Sequence, residues 1–588
     1  MCYDNICTML KLLKYLKGYR LKTVFGPLFK LIEAVFELIT PLIVAYIIDE
    51  GIPAARNGDI SLIVRGGALI ITLGALGLAF ALTAQFFASR ASLGFGTNLR
   101  RELYAHVNRF SYAELDKFST ASLITRLTGD VNQCQQGVAM FIRLVLRAPF
   151  IAAGAIIMAV IIDAKLSLIF VGATLLIGIS LYFIMAVTMP KYKTVQEKLD
   201  DVTRLTRENL SGARVVRAFG AEEREKSAFR TASDALAAKS INAGRVSALL
   251  NPLTYAVANV AIILILYFGG KTVYYGDLTQ GNIIALVNYM TQILNAMIVF
   301  ANLMVTFTKA SASAARINEV FAVSPTLFSG EGATPDYSAP AIELKNVTFC
   351  YNENAMPALE NISVTVKKGQ SVGVLGGTGS GKTALINLIT RLYDVTSGEV
   401  KIFGNDVKDY TFKQLSEIFG IVPQKAVLFK GTLRENMQLK KEDASDDEIY
   451  AALSDSCSRE FVDKMQGGLD AEIEQDGKNV SGGQRQRLTI ARALIGSPKI
   501  LLLDDSMSAL DYKTDSTLRK NLARLQKEEG LTSVNVSQRV QSVRYSDVIW
   551  VLDDGKLAAV GTHDELMESS PVYCEIFDSQ QKGGDGND

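Results

Sequence analysis

Six apolar segments in the first half of the chain constrain its fold more than any other feature. They lie near residues 23–48, 62–88, 138–162, 166–189, 246–270 and 281–307. A helix needs about 20 apolar residues to cross a bilayer, and each segment reaches that length. Because a backbone in lipid must satisfy its own hydrogen bonds, the sequence predicts an α-helical membrane domain of six spans over residues 23–309.

Basic residues cluster before span one, between spans two and three, and between spans four and five. By the positive-inside rule, these regions and both termini are predicted to be cytoplasmic. Within residues 1–22, Lys11, Lys14 and Lys17 recur every three residues and therefore share one side of a helix. This pattern favours a short interfacial helix on the inner membrane surface. A solvated N-terminal helix is the alternative.

The two long cytoplasmic connections hold about 50 residues each and have helical patterns, far more than a turn requires. We therefore expect the membrane helices to continue into the cytosol. A linker at residues 310–340 ends in a stretch rich in Gly and Pro, which marks a domain boundary. Residues 341–580 are predicted to form an α/β domain, followed by a tail at 581–588.

Composition excludes several classes of function. The net charge of +1 argues against a general nucleic-acid binder. The six cysteines contain no C-x-x-C pair, and none falls in a predicted external loop, so free thiols in a reducing cytosol are expected. His106 and His563 are too few and too far apart to suggest a metal site.

Residues 376–383 fit the phosphate-binding pattern G-x-x-x-x-G-K-[ST] without a mismatch. The pattern follows an apolar strand at Ser371–Leu375 and opens a helical pattern at Ala384–Leu392, which is the context that it requires. Its glycines free backbone amides to surround phosphates. Lys382 is predicted to reach the terminal phosphates, and the Thr383 hydroxyl to face Mg²⁺.

A second stretch, Val480–Asp511, has the features of a ligand-facing strand end. Ser481–Gln484 is a glycine-rich polar turn that runs into a helical pattern, so backbone amides and the positive helix end point toward an anion. The apolar run Ile500–Leu503 is typical of a buried parallel strand. Asp504 and Asp505 follow it, where open α/β sheets place their ligands.

Together these stretches resemble the nucleotide-binding domain of ABC transporters. Ser481, Gly482, Gly483 and Gln484 resemble the family signature, Asp504 its Walker B aspartate, Tyr351 the aromatic residue stacking on adenine, Gln424 the Q-loop and Ser508–Asp511 the D-loop. The resemblance implies ATP contacts by Tyr351, Gly376, Gly377, Thr378, Gly379, Ser380, Gly381, Lys382, Thr383 and Ala384. It implies Mg²⁺ contacts by Thr383, Gln424 and Asp504.

The six spans with long inner loops, followed by one ATPase domain, resemble an exporter-type half-transporter. In that family the tips of the inner loops are coupling helices that touch the nucleotide-binding domain. By position, Tyr112–Lys117 and Ala218–Glu225 are the candidates, and Glu208–Phe219 resembles the pattern before the second tip. An ordinary solvated surface is the alternative for such charged helices.

Two residues at hydrolytic positions depart from the family pattern, and Ser506 and Met507 replace the family's proline and threonine after the Walker B acid. Asp505 stands where the family carries a glutamate as general base, and Gln538 stands at the switch histidine. The Asp505 side chain is one methylene shorter than glutamate, and the Gln538 amide cannot become an imidazolium. Both changes predict weak hydrolysis at this chain's own Walker face. The intact signature, which in the family contacts the partner's ATP, then implies one half of a heterodimer, whose partner supplies the glutamate and histidine. A homodimer is the alternative.

Polar residues in the spans predict a central cavity, because such residues usually point inward. Asn288, Gln292, Asn295 and Asn302 share one face of span six, and Lys30, Glu33 and Glu37 share one face of span one. The alternative is that these groups bond neighbouring helices or pair internally. For Glu33 and Glu37 we favour the cavity, since two carboxylates outnumber their one local cation, which suits cationic amphiphilic substrates.

The sequence therefore predicts ATP-driven export of amphiphilic small molecules, of multidrug type, across a bacterial plasma membrane, by one half of a heterodimer that is embedded in membrane lipid. A lipid or peptide translocator with the same ATPase is one alternative, because a fold does not choose its cargo. A regulatory or ATP-gated subunit without a cargo path is another.

Overall fold

The computed structural model describes residues 8–352 and 355–582. Predictions that concern residues 1–7 and 583–588, including Cys2, Cys7 and most of the tail, lie outside the described residues. The chain divides into two compact units, Met1–Asn108 with Thr120–Val323 and Arg109–Ser119 with Ser324–Asp588.

The first unit is helical. Within the described residues, six helical segments are long and apolar enough to cross a membrane, and each contains one predicted span: Arg20–Arg56, Ser61–Val107, Thr120–Ile162, Ser167–Ser211, Glu222–Tyr274 and Gln280–Ala322. The 47 residues of Ser61–Val107 extend about 70 Å at 1.5 Å per residue, more than twice the hydrocarbon thickness. The prediction that the membrane helices continue beyond the bilayer is therefore confirmed.

Three π-helical turns join shorter pieces into these continuous segments. In chain order the helices of the first unit are Leu13–Leu16 (3₁₀), Arg20–Tyr46, Ile47–Gly51 (π), Ile52–Arg56, Ser61–Val107, Thr120–Thr125, Arg126–Asp130 (π), Val131–Met140, Phe141–Val145 (π), Arg147–Ile162, Ser167–Ser211, Ala213–Ala218, Glu222–Ser247, Leu250–Tyr274 and Gln280–Ala322. Many large apolar side chains on these helices are exposed, as on lipid-facing surfaces.

The N-terminal helical turns pack on this unit with one side. Met9, Leu12 and Leu16 are buried. Asn98 donates to the Tyr15 carbonyl at 3.1 Å, and Asn318 donates to the Thr8 carbonyl at 2.8 Å. The three lysines of this segment are exposed. The interfacial position of the helix stays a prediction.

The second unit is the predicted α/β domain. Its strands are β1 (Ile342–Phe349), β2 (Leu359–Val366), β3 (Ser371–Gly376), β4 (Ser397–Ile402), β5 (Asn405–Asp406), β6 (Phe419–Val422), β7 (Gly431–Thr432), β8 (Glu472–Ile473), β9 (Ile500–Asp504), β10 (Thr532–Ser537), β11 (Val548–Asp553) and β12 (Lys556–Gly561). The main sheet has the order β12-β11-β3-β10-β9-β6, in which only β12 pairs antiparallel. A second sheet, β2-β1-β4-β5, is antiparallel.

Helices cover the main sheet, which explains the continuous apolar run of β9. Leu502 faces one buried core, while Leu501 and Leu503 face another. The helices of this unit are Tyr112–Phe118, Lys382–Ile389, Phe412–Ile418, Leu433–Gln438, Asp446–Asp455, Arg459–Val462, Gly468–Asp470 (3₁₀), Gln475–Gly477 (3₁₀), Gly482–Leu494, Tyr512–Glu529, Val540–Val543, His563–Ser569 and Pro571–Lys582. The predicted fold class, a helical membrane domain followed by an α/β domain, is confirmed.

Candidate nucleotide-binding site

Strand order brings the predicted motifs to one edge of the main sheet. β3, β10, β9 and β6 are parallel neighbours, so their carboxyl ends meet. The registers place Val536 beside Asp504 and Ser537 beside Leu375. The phosphate-binding loop, the two aspartates, Gln538 and Gln424 therefore follow four adjacent strand ends.

The glycines of the phosphate-binding loop fall into two groups. At Gly376 and Gly381 a Cβ atom would approach a backbone carbonyl oxygen to 2.4 and 2.5 Å, so the fold itself requires glycine. At Gly377 and Gly379 a Cβ atom would meet nothing within 4 Å. Gly379 has a φ of +85°, which favours glycine, but no such constraint acts at Gly377. Gly377 therefore leaves room for close approach of a ligand to the backbone.

Lys382 lies across this loop and is buried. Its ammonium donates to the carbonyl oxygens of Gly376 at 3.0 Å and Gly377 at 2.5 Å, and to the Ser380 hydroxyl at 3.3 Å. Burial lowers the pKa of Lys382, against the attraction of the two aspartates after β9. The ammonium is thus held by groups that a phosphate can replace.

The Thr383 hydroxyl and the Asp504 carboxylate form a pair of possible oxygen ligands for a metal ion, at the carboxyl edge of the main sheet. The Thr383 hydroxyl donates to Asp504 Oδ2 at 3.2 Å, across 121 residues of sequence. Burial raises the pKa of Asp504, and the Thr383 hydrogen bond partly offsets this rise. Hydroxyl and carboxylate oxygens are the ligands that Mg²⁺ prefers, so the pair fits that ion.

The other predicted contacts of the loop differ in burial. Ser380 and Ala384 are buried beneath it. The Thr378 hydroxyl points to the β10 side, where it donates to Gln538 Oε1 at 3.4 Å. Gln424 is exposed two residues beyond the end of β6. It therefore flanks the Thr383–Asp504 pair by strand position.

Tyr351 belongs to an aromatic cluster. Its ring lies 4.8 Å from that of Phe349 and 5.4 Å from that of Tyr393, both edge to face, and 45% of the residue is exposed. The Tyr393 hydroxyl donates to Asp116 Oδ2 at 2.6 Å. Burial, together with that bond, raises the pKa of Tyr393, so it stays a donor at neutral pH.

Asp116 lies in helix Tyr112–Phe118, which belongs to the second unit. A capping box between Ser111 and Glu114 fixes the start of this helix. The contact of the first inner loop with this domain was predicted from its position, but Asp116 and Tyr393 were not. No short motif contains both, because 277 residues separate them.

The side chains at the two altered positions bond within the chain. Asp505 has a φ of +44°, and its Oδ1 accepts a hydrogen bond from Ser537 at 3.3 Å. Gln538 accepts the Thr378 bond, and its carbonyl accepts from Gln580 at 2.8 Å. Gln580, in the last helix, also accepts from the Val540 amide at 2.9 Å. Nothing in the local sequence of Gln580 predicts this role.

The signature turn begins helix Gly482–Leu494. Ser481 and Gln484 form a capping box, in which the Ser481 amide donates to Gln484 Oε1 at 2.9 Å. Ser481 and Gly482 are exposed. A Cβ atom at Gly482 would meet nothing within 4 Å, and one at Gly483 would only touch a carbonyl oxygen at 3.4 Å.

Asp511 ends the loop that follows β9. Its side chain accepts from the Thr514 amide at 3.1 Å and so caps helix Tyr512–Glu529. This hydrogen bond lowers the pKa of Asp511.

The expected excess of carboxylates on span one is wrong. Arg147 of span three supplies a second cation, 2.7 Å from Glu37 Oε2 and 3.9 Å from Glu33 Oε1. Lys30 pairs with Glu33 at 2.5 Å. Two cations thus balance two carboxylates. The expectation failed because it counted only charges on the same helix, while Arg147 is distant in sequence.

The four amide side chains of span six differ in exposure and in their hydrogen-bond partners. Asn288, Asn295 and Asn302 are exposed in the single chain, and Gln292 is half-buried. Gln292 donates to the Glu37 carbonyl of span one at 3.3 Å, and Asn288 donates to its own helix at 3.0 Å. Gln292 therefore joins neighbouring helices, as the alternative interpretation expects, while the three asparagines form an exposed row.

Two family models match the chain. The ABC transporter transmembrane region matches residues 23–297, and the ABC transporter model matches residues 359–508. The chain is 35% identical to the Bacillus subtilis "Uncharacterized ABC transporter ATP-binding protein YfiB", over 97% of this chain and 98% of that protein. It is 29% identical to the "ATP-dependent lipid A-core flippase" of Vibrio vulnificus, over 81% of this chain and 82% of that protein.

A solved structure shares the fold. It is described as "Structure of a bacterial Atm1-family ABC exporter with ATP bound", with a TM-score of 0.76 and 22% identity, and the match covers 97% of this chain and 98% of that one. ABC exporters of this kind work as dimers, and their ATPase domains bind ATP. The chain belongs to the ABC transporter family and is a half-transporter with an exporter-type fold, a multi-pass membrane protein that uses ATP for transport.

Proposed function

We propose that this chain is the subunit with the degenerate ATP site in a heterodimeric exporter of amphiphilic small molecules. The observation that carries the proposal is the contrast between Asp505 and Gln538, which depart from the hydrolytic pattern, and an intact signature at residues 481–484.

The Asp505 carboxylate is poorly suited to activate water. It is one methylene shorter than the glutamate of the family, and a general base must lie within about 2.6–3.2 Å of its proton donor. The hydrogen bond from Ser537 directs one of its oxygens back to β10. Both features favour slow hydrolysis at this chain's Walker face.

Gln538 cannot supply the second hydrolytic group. A carboxamide has no charged form at neutral pH, whereas phosphoryl transfer depends on stabilising charge and positioning water. Its Oε1 accepts from Thr378, and its carbonyl is bonded by Gln580. These contacts hold the residue in place without giving it the chemistry of an imidazole.

Binding groups, in contrast, are complete. We assign the open loop at Gly377 and the Lys382 ammonium to the phosphates, and the exposed side of Tyr351 to the adenine. Thr383, Asp504 and, by strand position, Gln424 would hold Mg²⁺. When bound, that ion would neutralise phosphate charge; the residues here orient the nucleotide and exclude water beneath the loop.

The signature turn is assigned to the partner's ATP. Its own fold does not require glycine at residue 482, because a Cβ atom there meets open space. A glycine without an internal reason indicates close approach by another molecule. The segment Glu208–Phe219, which leads into the second inner tip, also exposes apolar side chains, Leu210 at 75%, Val215 at 60% and Phe219 at 83%, as a partner contact would.

The exposed row Asn288, Asn295 and Asn302 supports a polar path on span six. Since the charges of span one are balanced, cationic cargo has no support from Glu33 and Glu37. We infer that the cargo is an amphiphilic small molecule exported across a bacterial plasma membrane, with both chain termini cytoplasmic. The similarity to a lipid A-core flippase keeps lipid cargo as the second candidate.

ATPase measurements on the purified full-length chain test the degenerate site. The chain without a partner should bind ATP with Mg²⁺ yet show negligible turnover. The control is a partner half-transporter with glutamate and histidine at the matching positions, which restores turnover when added. Turnover by the chain alone at the rate of the restored pair would contradict the proposal.

Cargo transport tests the polar path separately. Substituting Asn288, Asn295 and Asn302 together by Leu should change which amphiphiles are exported while ATP binding persists. Thr272→Val, in the helix Leu250–Tyr274 just beyond span five, is the matched control, since its hydroxyl donates to the Phe268 carbonyl of the same helix at 3.0 Å. Unchanged export with an altered ATPase rate would instead favour a regulatory, ATP-gated subunit.

A further inference from the structure

The second unit contains a cavity of about 600 Å³ that the ATP site does not use. It lies between helix Tyr512–Glu529, strand β10 and the segment Arg539–Ser546. Its volume falls within the range of about 300–1,000 Å³ that is usual for small-molecule sites.

Asn535 gives this cavity an unsatisfied polar group. The residue sits on β10, lines the cavity and is only 8% exposed. Its Nδ2 donates to the Ser542 carbonyl at 2.8 Å. This bond fixes the orientation of the amide, so the remaining side-chain atom is the acceptor Oδ1. Within residues 8–352 and 355–582, no donor reaches Asn535 Oδ1. Because a buried acceptor without a hydrogen-bond donor is unfavourable, this atom favours a ligand that donates a hydrogen bond.

The charge of the cavity lining indicates the charge of its ligand. The lining contains three cationic side chains, Arg519, Lys520 and Arg539, and one carboxylate, Asp515. Arg519 is already paired with Asp515 and donates to the Gln541 carbonyl at 2.7 Å. The other two cations are exposed at the mouth. The lining is thus positive overall and suits an anion.

The inner wall is apolar. Leu503, Met507 and Leu522 are buried and line it, and the ring of Tyr545 lies at the exposed end. Two of these side chains belong to β9 and the loop after Asp505. An aromatic or aliphatic body would cover this surface between the acceptor and the mouth.

We propose that this cavity binds a small organic anion with an apolar body and an O–H or N–H donor. The donor bonds Asn535 Oδ1, the body packs on Met507 and Leu522, and the anionic group lies near Lys520 and Arg539. This site is separate from the phosphate-binding loop and does not depend on the cargo or on heterodimer formation. Its lining joins the segments that follow Asp505 and Gln538, so an occupant would restrain both.

Three related compounds test the proposal by ligand-observed NMR on the full-length protein, with the ATP site saturated by a non-hydrolysable ATP analogue. 4-Hydroxybenzoate has the donor, the ring and the charge. Benzoate lacks the donor, and 4-hydroxybenzyl alcohol lacks the charge. We expect saturable binding of 4-hydroxybenzoate and at least about fivefold weaker binding of each of the others, as for the loss of one polar contact.

Variants connect the binding to this cavity. Asn535→Leu removes the acceptor and fills space, so it should abolish binding while retained binding of the ATP analogue reports a folded domain. Lys520→Ala, at an exposed position, should weaken binding about threefold or more. Lys527→Ala on the same helix, outside the cavity, should leave binding unchanged.

Two outcomes would overturn the assignment. One is the absence of saturable binding of 4-hydroxybenzoate to the unmodified protein up to 10 mM, on the order of the weakest specific affinities. The other is binding that neither Asn535→Leu nor Lys520→Ala weakens. If Asn535→Leu does not fold, the Lys520→Ala comparison with Lys527→Ala decides the question alone.

Discussion

The turn that begins helix Gly482–Leu494 and the loop that follows β9 belong to the same domain, but they differ in what specifies their residues. Gly482 is exposed and has no neighbour that would exclude a side chain. Asp505 has a left-handed backbone and bonds to β10. We propose that the first region contacts a molecule outside the chain, whereas the Asp505 carboxylate of the second accepts a hydrogen bond from within the chain.

The comparison indicates that the signature face and the Walker face of one ABC domain can have different chemical requirements. A signature must present backbone amides to phosphate, which requires glycine and a helix start. A hydrolytic face must place a base and a charged donor within a few tenths of an ångström. We propose that the chain meets the first demand and not the second, and the predictions below separate the two regions.

The largest expected effect is at the signature. Ser481→Arg removes the cap and places a bulky cation where the partner's phosphates would approach. We expect the ATPase rate of the paired complex to fall about 100-fold, comparable to the loss of a transition-state contact. Steady-state ATPase assays measure this. Lys478→Ala, an exposed change three residues away, is the control, and a loss under threefold for Ser481→Arg would contradict the comparison.

Asp504→Asn should lower the Mg²⁺-dependent affinity for ATP about tenfold or more, since a metal-binding carboxylate becomes an amide. Burial raises the pKa of Asp504, so acidification should protonate it, and weaken binding, at a higher pH than for an ordinary aspartate. Titration of ATP affinity against pH checks this. The Asn variant should lose this pH dependence; an unchanged pH profile would count against metal binding by Asp504.

Placing the family's glutamate and histidine at positions 505 and 538 tests whether these two residues limit hydrolysis. Asp505→Glu with Gln538→His should raise ATP turnover by the chain alone about tenfold or more, because general-base catalysis contributes about 10²–10⁴-fold. Each single substitution is the matched control and should give less. Equal, negligible turnover in the double variant would show that other residues limit hydrolysis.

Tyr393→Phe should reduce transport about two- to threefold while ATP affinity stays the same. The substitution keeps the ring that contacts Tyr351 but removes the 2.6 Å bond to Asp116. A hydrogen bond to a charged group contributes about 1.5–3 kcal/mol to the contact that it makes. Because the ring contacts remain, we expect only a small part of that energy to appear in the transport rate. Parallel transport and ATP-binding assays separate the effects, and weaker ATP binding would show that the hydroxyl supports the nucleotide instead.

The smallest expected effect is at Asp505 itself. Asp505→Ala should alter turnover of the paired complex less than about twofold, because this carboxylate is not the base of the productive site. The same assay used for Ser481→Arg measures it. A tenfold loss would remove the distinction between the two regions.

The sequence by itself determined the fold class and the position of each motif. Six apolar segments can only cross a bilayer as helices, and the phosphate-binding pattern around Lys382 implies a strand before it and a helix after it. The departures at Asp505 and Gln538 were also visible, because they are changes of residue type at fixed spacing from recognised motifs.

Only the tertiary structure decided which distant groups meet. Arg147 neutralises Glu37, Tyr393 bonds Asp116, and Asn535 is left with an unpaired acceptor in a cavity. Periodicity places a residue on a face of its own helix or strand, but it carries no information on which face of another element packs there. Long-range charge balance and cavities arise from that packing, so they appear only when the whole chain is folded.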